Sequence, residues 1–148
     1  MFDGRYVYFI PASAEGTSTY RCIITRHDTQ GSFTDAASWS VVDAATLTNG
    51  ASSAMRFSGG AFDGRYIYLI PDFSEPLMRF DPQGSFAAPS SWTSVDIFDV
   101  TGEIGECAGA AFDGRYLYLI PGGLAGMFRF DARDAGPLPS AIKGGSFY

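Results

Sequence analysis

Two cysteines and one histidine are all this 148-residue chain carries of the side chains that most often ligate zinc. Two Cys and one His in separate places, Cys22, Cys107 and His27, do not suffice for a zinc set, and no metal is expected. Two cysteines in different parts of the chain do not make a disulfide framework, so both are expected as buried free thiols. A Ser-His-Asp triad would have to be built around His27, and no Gly-x-Ser-x-Gly elbow accompanies it. The glycine-rich run Gly122-Gly123-Leu124-Ala125-Gly126 lacks the Lys-Ser/Thr and the helix of a phosphate cradle. The chain is therefore read as a non-enzyme without a cofactor.

Positive charge is also scarce. Ten Lys and Arg are outnumbered by sixteen Asp and Glu, for a net charge of −6 and a pI near 4.5. A nucleic-acid binder presents a basic patch, so nucleic acid and anionic membrane are excluded as partners. No apolar run approaches the ~20 residues of a spanning helix. Nor does any segment hold a long 3.6-residue apolar period, which excludes a helical fold. Met1 is followed at once by repeat sequence rather than by a signal peptide, and a reducing, cytoplasmic location is expected.

What the chain does have is aromatics and glycine: thirteen Phe, eight Tyr and eighteen Gly. That mixture suits short strands joined by tight turns. It is organised as a repeat. Phe2-Asp3-Gly4-Arg5-Tyr6-Val7-Tyr8-Phe9-Ile10-Pro11 returns as Phe62-Asp63-Gly64-Arg65-Tyr66-Ile67-Tyr68-Leu69-Ile70-Pro71. It returns again as Phe112-Asp113-Gly114-Arg115-Tyr116-Leu117-Tyr118-Leu119-Ile120-Pro121. Further out, Gln30-Gly31-Ser32-Phe33 matches Gln83-Gly84-Ser85-Phe86. Ser38-Trp39-Ser40-Val41-Val42-Asp43 matches Ser91-Trp92-Thr93-Ser94-Val95-Asp96. The chain reads as a single domain, 1–148, of three units: 2–55, 56–105 and 106–148.

In the middle unit, Arg56–Phe62 is small and apolar, a strand suited to a crowded place. Asp63-Gly64 is a signal for a two-residue hairpin turn. Arg65–Ile70 alternates aromatic and aliphatic residues, as in a strand buried on both faces. Leu77–Asp81 is a third strand and Trp92–Asp96 a half-exposed fourth. Asp28, Asp81 and Asp131 recur at the end of the third strand and are expected to start a turn by accepting backbone N–H groups. Arg5, Arg65 and Arg115 also recur, and are expected to pair with the Asp of a neighbouring blade. His27 stands where the other units have Phe80 and Phe130, and is expected on a solvent-facing strand position.

Four short strands with small inner and polar outer members are the pattern of a β-propeller blade. The small-residue strand, the Tyr-x-Tyr strand, the Arg-Phe-Asp strand and the Ser-Trp strand together resemble kelch-type propeller repeats, whose period is also ~50 residues. The sequence departs from that family at its double glycine. Gly59-Gly60 lies in the first strand, and Pro71 rather than glycine closes the second. The resemblance implies an all-β fold of four-stranded antiparallel blades, three per chain, and a protein- or peptide-binding role.

Three blades fall short of the four to eight of a closed ring. The first unit lacks an inner strand. The last skips the Ser-Trp strand and ends in Gly145-Ser146-Phe147-Tyr148, which aligns with Gly59-Gly60-Ala61-Phe62. The expectation is head-to-tail closure through oligomerisation, with Phe2, Tyr6, Lys143, Gly145, Phe147 and Tyr148 at the junction and two chains forming six blades. A compact sandwich, a fragment of a larger propeller and a designed self-assembling chain are competing readings. On the face where loop lengths vary, Arg56, Asp72, Glu75, Glu103 and Glu106 form a candidate acidic rim for a cation, sugar or basic peptide. A protein-binding scaffold is favoured over a carbohydrate-binding lectin, because the variable loops do not repeat one polar-aromatic set.

Overall fold

The computed structural model describes residues 1–11, 22–47, 55–72, 75–97, 106–123, 126–133 and 142–143. The fold is all-β, with three antiparallel sheets in chain order, one from each sequence unit. The first holds β1 (Tyr6–Phe9), β2 (Ile23–Asp28) and β3 (Trp39–Asp43). The second is a four-stranded meander of β4 (Phe57–Phe62), β5 (Ile67–Pro71), β6 (Leu77–Phe80) and β7 (Trp92–Val95). The third holds β8 (Cys107–Phe112), β9 (Tyr116–Pro121), β10 (Phe128–Asp131) and the two-residue β11 (Ile142–Lys143). As expected, the first sheet has no full inner strand among the described residues; a bridge, Phe2 to Val7, stands in its place.

The expectation that the last unit omits its outer strand is corrected. Ile142 and Lys143 pair with Arg129 and Phe128, on the outer side of β10. Residues 144–148 lie outside the described residues.

Strand alternation decides which residues share a face, and the core shows which faces are covered. Ile67 and Leu69 of β5, with Met78 and Phe80 of β6, pack in one cluster with Tyr8, Ile24 and Val42 of the first sheet. Tyr68 and Ile70, with Leu77, point the other way and pack with Leu117, Leu119, Phe128 and Phe130 of the third sheet. The second sheet is thus a middle layer covered on both sides, and every residue of β5 and β6 is buried. This agrees with the two-sided burial expected of the Tyr-x-Tyr strand.

The inner strands β4 and β8 are bulged, with register shifts at Phe57/Gly59 and Cys107/Gly109. Gly59 and Gly109 take positive φ values of 152° and 158° there, as bulges favour. Gly60 answers the expectation of crowding: a Cβ on it would sit 2.7 Å from the Tyr68 carbonyl oxygen and against the Met1 side chain.

The hairpin turn differs from expectation. Its tip is Gly64-Arg65, one position later than Asp63-Gly64, and the flanking Asp63 N–H donates to the Tyr66 carbonyl. A type I′ turn needs positive φ at both central residues, yet among the described residues no residue other than glycine takes positive φ, and Gly64 does so at 92°. The Asp63 carboxylate does the remaining work. Its Oδ1 accepts from Arg65 N at 2.7 Å and Tyr66 N at 2.6 Å, and its Oδ2 accepts from the Tyr68 hydroxyl at 2.8 Å. Asp3 and Asp113 repeat all three bonds. The Asp, Gly and second Tyr of each Asp-Gly-Arg-Tyr-x-Tyr run are thereby explained by one local device.

Candidate functional site

Arg56, Asp72 and Glu75 come together on the loop side of the second sheet. The Arg56 guanidinium lies 3.9 Å from Asp72 Oδ2 and 3.7 Å from Glu75 Oε1. The backbones of Arg56 and Asp72 are also bonded, N–H of Asp72 to the Arg56 carbonyl at 3.1 Å. One cation faces two carboxylates, so Arg56 offsets part, not all, of the negative charge expected of the rim. Glu106 holds the Arg56 position of the third sheet, where its carbonyl accepts from Gly122 N at 3.0 Å. The Glu106 side chain lies over Gly122 and Gly123, close enough that a Cβ on Gly123 would meet its carboxylate. Glu103 lies outside the described residues. Among the described residues no three His, Cys, Asp or Glu side chains converge as a metal set.

The repeated arginines pair differently from expectation. Arg5 bonds Asp28, Arg65 bonds Asp81 and Arg115 bonds Asp131, each on the adjacent strand of its own sheet rather than on a neighbouring one. In the first and third sheets the aspartate lies opposite the Tyr that follows the arginine, Tyr6 and Tyr116, so the guanidinium reaches it diagonally without leaving the sheet. The same aspartates accept backbone N–H groups from Gln30, Gln83 and Arg133, as expected of turn starters. Bonding to the Arg5 guanidinium and the Gln30 N–H lowers the Asp28 carboxyl to about 2. A groove of about 450 Å³ opens on this turn side between the second and third sheets, lined by Asp63, Arg65, Tyr66, Phe112, Gly114 and Arg133.

His27 is not solvent-facing. It is 7 % exposed, with its ring 4.7 Å from that of Trp39 and 5.2 Å from that of Phe33. Its Nε2 is buried without a hydrogen-bond partner. The Trp39 indole N–H donates to the Phe33 carbonyl at 2.9 Å, which folds the Gln-Gly-Ser-Phe loop back over His27. Trp92 and Phe86 repeat this bond in the second sheet. Both thiols are buried as expected; burial pushes Cys22 up to about 12 and Cys107 up to about 11.

The most distinctive surfaces are the two outward faces of the stack: exposed aromatic faces are expected of an open three-blade arc, but the sequence does not mark their residues individually. The first sheet turns a row of aromatics away from the second: the Trp39 ring contacts both Phe9 and Phe33, and Trp39 and Phe33 flank His27. The third sheet turns Tyr118, Ile120, Met127 and Arg129 away from the second. Of the expected junction residues, Phe2 is exposed and bridges Val7. Tyr6 faces inward, packed against the core shared with the second sheet. Lys143 is paired within its own sheet, and Gly145, Phe147 and Tyr148 lie outside the described residues. The signal for the outward faces was present in the repeat alignment, because their residues match buried ones in the middle unit.

No family model, no curated protein and no solved structure matches this chain.

Proposed function

We propose that the chain is a non-enzymatic, β-propeller-type scaffold of three blades, completed into a closed ring by association with further copies of itself. The ring would present its variable loops to a protein or peptide partner. The observation that carries this reading is the one-way stacking of the three sheets. Each is apolar on both faces, yet among the described residues nothing covers the outward face of the first sheet or that of the third. Sheets with apolar residues on both faces are stable as inner layers, and uncovered ones are association surfaces.

The non-enzymatic reading is supported by the state of the reactive side chains. His27 is wedged between rings, both thiols are buried, and Arg56 is engaged by Asp72 and Glu75. The kelch-like reading rests on the repeat pattern, to which the four-stranded meander of the second sheet is a match in strand order.

Light scattering behind a sizing column, at two concentrations a hundredfold apart, tests the proposal. A mass near twice 15.9 kDa, six blades, is the expected result. A mass of one chain at both concentrations would overturn it.

A further inference from the structure

Repeat-equivalent residues have opposite environments at the two ends of the stack. Phe33 is 66 % exposed and its equivalent Phe86 is 4 %; Phe9 is 46 % exposed and its equivalent Leu69 is fully buried. On the third sheet, Ile120 is 46 % and Met127 50 % exposed, while the equivalent Ile70 and Leu77 are fully buried. The contrast follows from the sheet across from each face: the third sheet covers Ile70 and Leu77, and the first covers Phe86 and Leu69. What covers Phe86 and Phe80 is the inward face of the first sheet. The Tyr8 ring lies 6.1 Å from Phe86 and 6.2 Å from Phe80, and the Arg26 guanidinium lies 4.3 Å from the Phe86 ring. Arg26 is itself stacked on Tyr6 at 4.1 Å.

The third sheet carries this covering set again, on the face it turns outward. Tyr118 is the equivalent of Tyr8, and its hydroxyl is bonded to Asp113 as that of Tyr8 is to Asp3. Arg129 is the equivalent of Arg26, and is stacked on Tyr116 at 4.3 Å. A face that covers Phe-rich faces inside the chain is therefore displayed at one end, and a Phe-rich face at the other.

We infer that the outward face of the third sheet of one copy docks on the outward face of the first sheet of a second copy. The register repeats the internal one, with Tyr118 and Arg129 of the one covering Phe33 and His27 of the other. This rests on the self-association proposed above and specifies its geometry. The contact is heterologous, so it is head-to-tail and closes into a ring when the rotation per sheet allows. Its energy comes from burial of apolar surface on both faces together with the Arg129–Phe33 cation–π contact. Neither face is self-complementary in this way: two first-sheet faces would bring aromatic rows together without the covering Tyr and Arg.

The test is complementation between two variants. Phe33→Asp blocks the first-sheet face and Ile120→Asp the third-sheet face, both at exposed positions where the monomer fold tolerates change. Each alone is expected to associate about 100-fold or more weakly than the wild type, since an aromatic or aliphatic anchor is replaced by a buried charge. Mixed in equal amounts, they retain one intact pair of faces, and a species of twice the single-chain mass is expected to return. Val41→Lys and Met127→Lys form a second pair on the same two faces, in case a first variant fails to fold by circular dichroism. Single variants that associate like the wild type, or a mixture that stays monomeric while the wild type associates, would overturn this geometry and leave self-association standing. A monomeric wild type would remove both.

Discussion

Phe33 and Phe86 occupy the same place in the same Gln-Gly-Ser-Phe loop, so truncating each to alanine isolates the effect of the neighbouring sheet. A Phe side chain carries roughly 200 Å² of surface. The difference between 66 % and 4 % exposure corresponds to ~120 Å², or about 3 kcal/mol at 25 cal/mol per Å². A cavity left beside Tyr8 and Phe80 adds to this, which puts Phe86→Ala at about 3–5 kcal/mol. Phe33→Ala leaves no enclosed cavity in the single chain and is expected to cost under about 1 kcal/mol. Urea unfolding followed by Trp fluorescence, at a concentration where sizing shows single chains, reads both numbers from the midpoints at constant slope. The reasoning is refuted if Phe86→Ala costs less than about 1 kcal/mol, for then the first sheet does not cover the second. Equal losses for the two variants in the single chain would refute it from the other side, since the outward face would then be covered within the chain.

Three further outcomes follow from the same geometry. Asp63→Ala removes the acceptor of three hydrogen bonds, two of them from backbone N–H groups; at about 1 kcal/mol each it is expected to lower stability by about 2–3 kcal/mol in urea titration, with Asp63→Asn losing less. Cys22 and Cys107, buried and pushed up to about 12 and 11, are expected to resist a thiol reagent at pH 8 in the native protein and to react fully in denaturant. Acid is expected to destabilise the fold. Asp28 is lowered to about 2 by Arg5, Asp81 and Asp131 are lowered by Arg65 and Arg115, and Asp113 by the Tyr116 and Arg115 N–H groups. The unfolded chain then binds more protons, so this stabilisation is complete above about pH 4 and lost as pH falls toward 2. Thermal midpoints measured from pH 6 to pH 2 check this, and Asp28→Asn should flatten the slope.

Much of the architecture was legible because the repeat is written three times. The Tyr-x-Tyr strand announced two-sided burial, and β5 has it. The aspartates closing each third strand announced backbone capping, and Asp28, Asp81 and Asp131 provide it. The turn was misframed by one residue, because Asp-Gly satisfies a local rule while the Asp63 side chain, reaching Tyr66 and Tyr68, satisfies a wider one. The repeated arginines were assigned to a neighbouring sheet because repetition does not say whether a partner lies beside or across.

The sequence by itself determined the strand pattern, the residue faces and the acidic balance, because alternation and turn chemistry act over a few residues. It also placed Arg56, Asp72 and Glu75 in one region. Only the tertiary structure decided which faces are covered. Phe33 and Phe86 are the same residue in the same motif, and His27 and Phe80 stand at the same strand position. Their surroundings are set by whether another sheet lies across from them, a relation between distant parts of the chain that no local period encodes.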